Sequence, residues 1–229
     1  MGLLYDGRNS YSIRRLTRER SQRDADVERL LKAIQPLLTA PVEQPALVVL
    51  SGLRASGKST LARRLAQLLP AVDLETDFLR RQLVGRPAYT AEENERLFTA
   101  CHLLIERLLR EGRRVIFDAT NLLEHYRERL YRIAEEAGAR LVLVWVEAPR
   151  EVVQERLLAR EQGQSAAEDL SEAGLAVYER MARYARPPRR PHIVVDSSRD
   201  VSHVLEQIVH EATRPAQRAA PSPERGEEP

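Results

Sequence analysis

Between residues 46 and 213, short apolar runs alternate with segments of helical periodicity, and this alternation constrains the fold more than any other feature of the chain. The runs cover residues 46–51, 71–76, 114–118, 140–146 and 192–196. The helical segments cover residues 58–69, 91–111, 123–137, 150–161, 171–185 and 201–213. Val115-Ile116-Phe117 and Leu141-Val142-Leu143-Val144-Trp145-Val146 are continuously apolar, as strands covered on both faces must be. Strands joined through helices pair in parallel by right-handed crossovers and gather ligands outside their carboxyl ends. The expected architecture is α/β in three layers, with a five-stranded parallel sheet.

The flanks differ from this central block. Residues 1–45 form an Arg-rich extension (Arg8, Arg14, Arg15, Arg18, Arg20, Arg23) followed by one amphipathic helix over residues 24–38, which Pro36 kinks or ends. Residues 214–229 hold four prolines, no aliphatic side chain larger than alanine and many charges, so a disordered tail is expected there. No apolar stretch approaches the roughly 20 residues of a membrane-spanning helix, and the arginines of the amino-terminal region are not followed by the apolar block of a secretory signal. One cysteine, Cys101, fits a reducing cytoplasm and packing in a core. The 36 basic and 34 acidic residues nearly cancel, so net charge selects no partner; of the basic residues only Lys32 and Lys58 are lysines.

Lys58 sits in Gly52-Leu53-Arg54-Ala55-Ser56-Gly57-Lys58-Ser59, which fits G-x-x-x-x-G-K-[ST] between an apolar strand and a helix. Glycines let the backbone N–H groups close on phosphate oxygens, and the following helix presents its positive end. Lys58 then meets the β- and γ-phosphates and the Ser59 hydroxyl meets Mg²⁺. Arg54 reads as a solvated side chain. The bland alternative, a glycine turn before an ordinary helix, leaves the Lys-Ser pair unexplained.

Asp77 and Arg80 lie just beyond the second strand. A carboxylate there accepts the proton of an acceptor hydroxyl, and an arginine one turn later clamps an anion. Asp77 as a helix N-cap and Arg80 as a surface cation is the competing reading. Glu75 is the weaker base, because strand alternation is expected to turn it away. Asp118 closes the third strand as a Walker B acid does, holding Mg²⁺ through water or orienting an arginine; strand-end capping is the alternative. Arg156 and Arg160 share one helix face, where Glu151, Glu155 and Glu161 are also near enough to pair with them. The polar stretch over residues 163–171 reads as a hinge in a lid spanning about residues 150–185. The five histidines form no metal-binding pattern, and the arginines at 186, 189 and 190 make a small basic loop.

The ordered set Gly52-x4-Gly57-Lys58-Ser59-Thr60, Asp77-x-x-Arg80, Asp118-Ala119-Thr120-Asn121 and Arg156-x3-Arg160 resembles the small P-loop kinases related to polynucleotide 5′-hydroxyl kinase. Zeta-toxin-like and gluconate-kinase-like enzymes are more distant relatives, and the resemblance covers about residues 46–213. It implies ATP and Mg²⁺, with Gly52, Ala55, Ser56, Gly57, Lys58, Ser59 and Thr60 around the nucleotide. It makes Asp77 the general base, sets Arg80 on the acceptor or its phosphate, and has Asp118 support the metal or Arg80. Arg160 neutralises the transferring phosphoryl group and Arg156 stacks near adenine or grips phosphate.

The expected activity is transfer of the ATP γ-phosphate to a hydroxyl of a polynucleotide or nucleoside 5′ end. The rivals are a small-molecule acceptor (sugar, antibiotic or sugar nucleotide) and a non-catalytic, ATP-dependent binding module. Leu79-Arg80-Arg81 after Asp77 argues against the gluconate-kinase subgroup, which favours histidine and proline there. A mechanical AAA+ ATPase is disfavoured, since the chain has no room for the usual helical lid domain.

Overall fold

The computed structural model describes residues 7–161 and 167–215. Its strands are β1 (Ala46–Ser51), β2 (Val72–Glu75), β3 (Val115–Asp118), β4 (Arg140–Glu147) and β5 (Ile193–Asp196). They form one sheet in the order β2-β3-β1-β4-β5, and all neighbours pair in parallel. The described helices are α1 (Gly7–Ile34), α2 (Lys58–Leu68), α3 (Thr76–Val84), α4 (Ala91–Arg110), α5 (Glu124–Glu136), α6 (Arg150–Glu161), α7 (Ala167–Ala182) and α8 (Ser202–Thr213).

Alternation along the strands sorts two cores. Leu47, Val49, Val115, Phe117 and Leu143 face α1, α3, α4 and α5, and Val48, Leu50, Ile116, Val142 and Val144 face α2 and α8. A third apolar cluster, Ala55, Val153, Leu157 and Tyr178, packs α6 and α7 onto the turn after β1. Cys101 is buried in the first core, where burial pushes its thiol up to about 12, and Trp145 is buried in the sheet. No helix among the described residues is long and apolar enough to cross a membrane.

Helix α1 begins at Gly7, not near residue 24 as apolar periodicity indicates. Its amino-terminal half carries no apolar stripe, so the period that reveals a buried helix is missing there. Pro36 does end it: the helix stops at Ile34 and a 3-10 turn, Gln35–Leu37, follows. Leu30 and Ile34 are fully buried in the first core. Arg96 of α4 holds the buried Asp26 carboxylate with two hydrogen bonds of 2.7 and 2.6 Å, and Arg29 donates to the Leu83 carbonyl at 3.1 Å. Helix α3 has no counterpart among the expected helices, being only nine residues long and starting directly at the end of β2. Helix α7 starts at Ala167, so residues 167–171 of the expected hinge are helical, while residues 162–166 and the tail from residue 216 lie outside the described residues.

The integration of α1 into the core predicts that Leu30→Ala lowers unfolding free energy by about 2–5 kcal/mol. Urea denaturation of the full chain measures it; an unchanged midpoint would show α1 to be an appendage.

Candidate active site

The turn after β1 is built for close backbone approach. Gly52, Ala55 and Gly57 take φ of 152°, 59° and 95°, values that favour glycine. A Cβ on Gly52 would lie 2.2 Å from the Val146 carbonyl oxygen, and one on Gly57 would lie 2.8 Å from Ser197 Oγ. Gly57 precedes α2 with no side chain capping the helix, so the first N–H groups of α2 point into the turn. Ser56 Oγ is buried there with no hydrogen-bond partner. Open N–H groups, an orphaned hydroxyl and the lysine beside them fit a phosphate chain. Lys58 is buried and donates to the Leu53 carbonyl at 2.8 Å, which holds its charge over the turn. Ser59 stands in the first turn of α2, and Thr60 and Arg54 are exposed.

Asp118 is buried at the end of β3, in register with Leu50 of β1 and Glu75 of β2. That register corrects one expectation, because Glu75 shares a face with Asp118 instead of turning away. Asp73 lies two residues earlier on the same face. Burial, then the charges of Asp118 and Glu75, push the Asp73 carboxyl from its ordinary 3.8 up to about 7. Glu75 is raised as well, first by burial and then by Asp118. Sequence reading passed over Asp73, although carboxylates at alternate positions of a strand necessarily line one face. Ser59 and Asp118 offer the hard oxygen ligands that suit Mg²⁺, which binds through one or two protein groups and substrate phosphates.

Asp77 stands in the first turn of α3 and Arg80 one turn later. Arg80 is buried, with Nη1 on Glu93 Oε1 at 2.5 Å and Nη2 on Asn94 Oδ1 at 2.7 Å, and it stacks on the Tyr89 ring at 4.8 Å. Thr90 caps α4, its Oγ1 accepting from Glu93 N at 3.2 Å, while Glu93 Oε2 reaches back past the cap to accept from the Ala88 and Tyr89 amides at 2.7 and 3.2 Å. Hydrogen bonding from Arg80 is the main reason that the Glu93 carboxyl titrates below its usual range. Arg80 is therefore not a solvated surface cation; Glu93 and Asn94 orient it, and its buried Nε has no partner.

Arg156 reaches the turn from α6. It donates to the Ala55 carbonyl at 3.3 Å, to Ser197 Oγ at 2.8 Å and to the Ser197 carbonyl at 2.8 Å, fastening α6 to the turn and to the end of β5. The Arg160 side chain lies outside the described residues.

A raised Asp73 makes the native chain bind more protons than the unfolded chain between about pH 4 and pH 7, so this group lowers stability as pH climbs through that window. Asp73→Asn should unfold at higher urea than the parent at about pH 8 and nearly level with it at about pH 4, without divalent metal. A gap that does not grow with pH would contradict the cluster's geometry.

Comparison with known proteins places this geometry. The family described as AAA domain, AAA_33, matches residues 47–188. An adenylyl-sulfate kinase of Myxococcus xanthus is 33% identical over 108 residues, 45% of this chain and 58% of that enzyme's length. A second relative, the Aeropyrum pernix protein described as "Probable adenylyl-sulfate kinase", is 27% identical over 173 residues, 73% of this chain and 92% of its own length. A crystal structure from Chloroflexus aurantiacus shares the fold, with a TM-score of 0.59 at 23% identity over 75% of this chain and 100% of that one. The turn after β1 is thus the phosphate loop of a P-loop kinase fold, and the chain belongs to the AAA_33 family.

Proposed function

We propose that this protein is an ATP- and Mg²⁺-dependent phosphotransferase that moves the γ-phosphoryl group of ATP to a hydroxyl of a nucleotide-bearing acceptor. The observation that carries the reading is the position of Asp77 and Arg80 on one face at the start of α3, which springs from β2 beside the strand that ends in Asp118. A base next to an oriented arginine, at the same end of the sheet as the phosphate loop, is what phosphoryl transfer requires.

In this reading the loop amides from Gly52 to Ser59 cradle the phosphates, helped by Ala55, Ser56 and the start of α2 at Thr60. Lys58 leaves the Leu53 carbonyl for the β- and γ-phosphate oxygens. Ser59 and Asp118 hold Mg²⁺, which offsets charge on those phosphates. Asp77 takes the proton of the acceptor hydroxyl as its oxygen bonds to the γ-phosphorus. The bond from that phosphorus to the bridging oxygen breaks, and ADP leaves with the electron pair. Arg80 meets the acceptor or the phosphoryl group, and Arg160 offsets charge from the lid. Arg156 fixes the loop from behind, so its role is positioning. The ATP requirement and the buried lone Cys101 support a cytoplasmic setting.

Two acceptor classes have separate support. The adenylyl-sulfate kinases among the relatives favour a small nucleotide, and the Asp77-x-x-Arg80 and Asp118-to-Asn121 motifs favour a polynucleotide 5′-hydroxyl. Transfer of labelled γ-phosphate from ATP to adenylyl sulfate and to a 5′-hydroxyl oligonucleotide distinguishes them. Asp77→Asn should lower transfer about 10²–10⁴-fold while ATP affinity holds. Unchanged turnover removes Asp77 as the base, and intact ATP binding with no labelled acceptor turns the reading to a binding module.

A further inference from the structure

A cavity of about 370 Å³ opens between the turn that follows β3 and the segment that follows α7, with Glu124, His125, Glu128, Arg186 and Arg189 among its walls. This volume lies within the range of small-ligand sites. Its floor is Arg127, which is fully buried. Arg127 Nε and Nη2 donate to Glu124 Oε2 at 3.1 and 2.7 Å, Nη1 to the Asn121 and Arg186 carbonyls at 2.7 and 2.9 Å, and Nη2 also to the Pro187 carbonyl at 3.2 Å. Every N–H of that guanidinium is committed, so Arg127 shapes the cavity and leaves binding to its neighbours. Glu124 is committed too, accepting from Tyr131 Oη at 3.2 Å and the Arg189 amide at 3.3 Å.

The groups left for a ligand are of three kinds: the exposed Glu128 carboxylate, arginines and aromatic rings. The Arg189 side chain makes no hydrogen bond or ion pair among the described residues, and Arg186 spends only Nη1, on the carbonyls of Arg183 and Ala185 at 3.0 and 2.7 Å. The His125 ring is part of the cavity wall, and the Tyr126 ring lies 4.0 Å from it. Tyr126 is 54% exposed. Unspent arginines beside exposed aromatic faces recognise a phosphate joined to a base, since guanidinium forks match phosphate oxygens and rings stack on bases. The cavity also adjoins the chemistry. Gly52 of the phosphate loop donates to the Thr120 carbonyl at 3.0 Å, and Asn121 Nδ2 donates to the Leu50 carbonyl at 3.3 Å, so the loop that carries Asp118 runs from the phosphate loop to the cavity wall.

We propose that this cavity is a nucleoside-phosphate subsite on the acceptor side, with phosphate on Arg189 and Arg186 and a base against the paired rings of His125 and Tyr126. The inference takes its purpose from the kinase reading, but its test does not depend on turnover. With the phosphate loop filled by Mg²⁺ and ADP, the full chain is titrated with AMP and with a single-stranded 5′-hydroxyl oligonucleotide. Arg189→Ala and Tyr126→Ala should each weaken probe binding about tenfold or more while ADP affinity and Tm stay at parent values. Binding of both probes, or of AMP alone, assigns a free nucleotide; binding of the oligonucleotide alone assigns a strand end. The proposal is overturned if neither probe binds the ADP-loaded protein, or if both variants bind as the parent does. Phosphoryl transfer failing while these losses persist would sink the kinase reading and leave the subsite standing.

Discussion

The burial of β1 governs the rest of the structure. All six of its residues are buried, with β3 on one side and β4 on the other. Such a strand has to end where the sheet ends, and in a parallel sheet all carboxyl ends meet at one edge. The phosphate loop is therefore delivered to the middle of that edge. Close packing then fixes its shape: the Val146 carbonyl of β4 occupies the space that a Gly52 side chain would need. Asp118 and Glu75 arrive beside it through strand register alone.

The outer layers act on this edge from two directions. From α6 and α7, Val153, Leu157 and Tyr178 pack on Ala55, and Arg156 binds the backbone of the loop. From the opposite flank, α1 anchors α4 through Asp26 and Arg96, and the amino end of α4 supplies Glu93 and Asn94 to Arg80. The amino-terminal helix thus belongs to the support of Arg80.

The five strands, the phosphate loop and the positions of Asp77, Arg80 and Asp118 were legible because each rests on a local pattern: an apolar run, a glycine spacing, or an acid at the end of a strand; the strand order β2-β3-β1-β4-β5 was not, since pairing joins residues distant in the chain. What was not legible depends on partners distant in the chain. The orientation of Arg80 is decided by residues 13 and 14 positions away, although Thr90-x-x-Glu93 announces the cap that holds them. The Asp73-Glu75-Asp118 face appears only once β2 is registered on β3. The polar half of α1 gives no apolar period to read. The cavity over Arg127 depends on bonds between positions 59 and 60 residues apart, which spacing cannot reveal.

Asp77 is the proposed base that meets the acceptor hydroxyl opposite the leaving ADP. A structure of the full chain with Mg²⁺, ADP and aluminium fluoride tests it most directly. The account predicts the Asp77 carboxylate at about 2.6–3.2 Å from the oxygen at the axial position, with Lys58 turned from the Leu53 carbonyl to the fluoride. An axial oxygen held by Glu75 or Asp73, with Asp77 pointing into solvent, would contradict it.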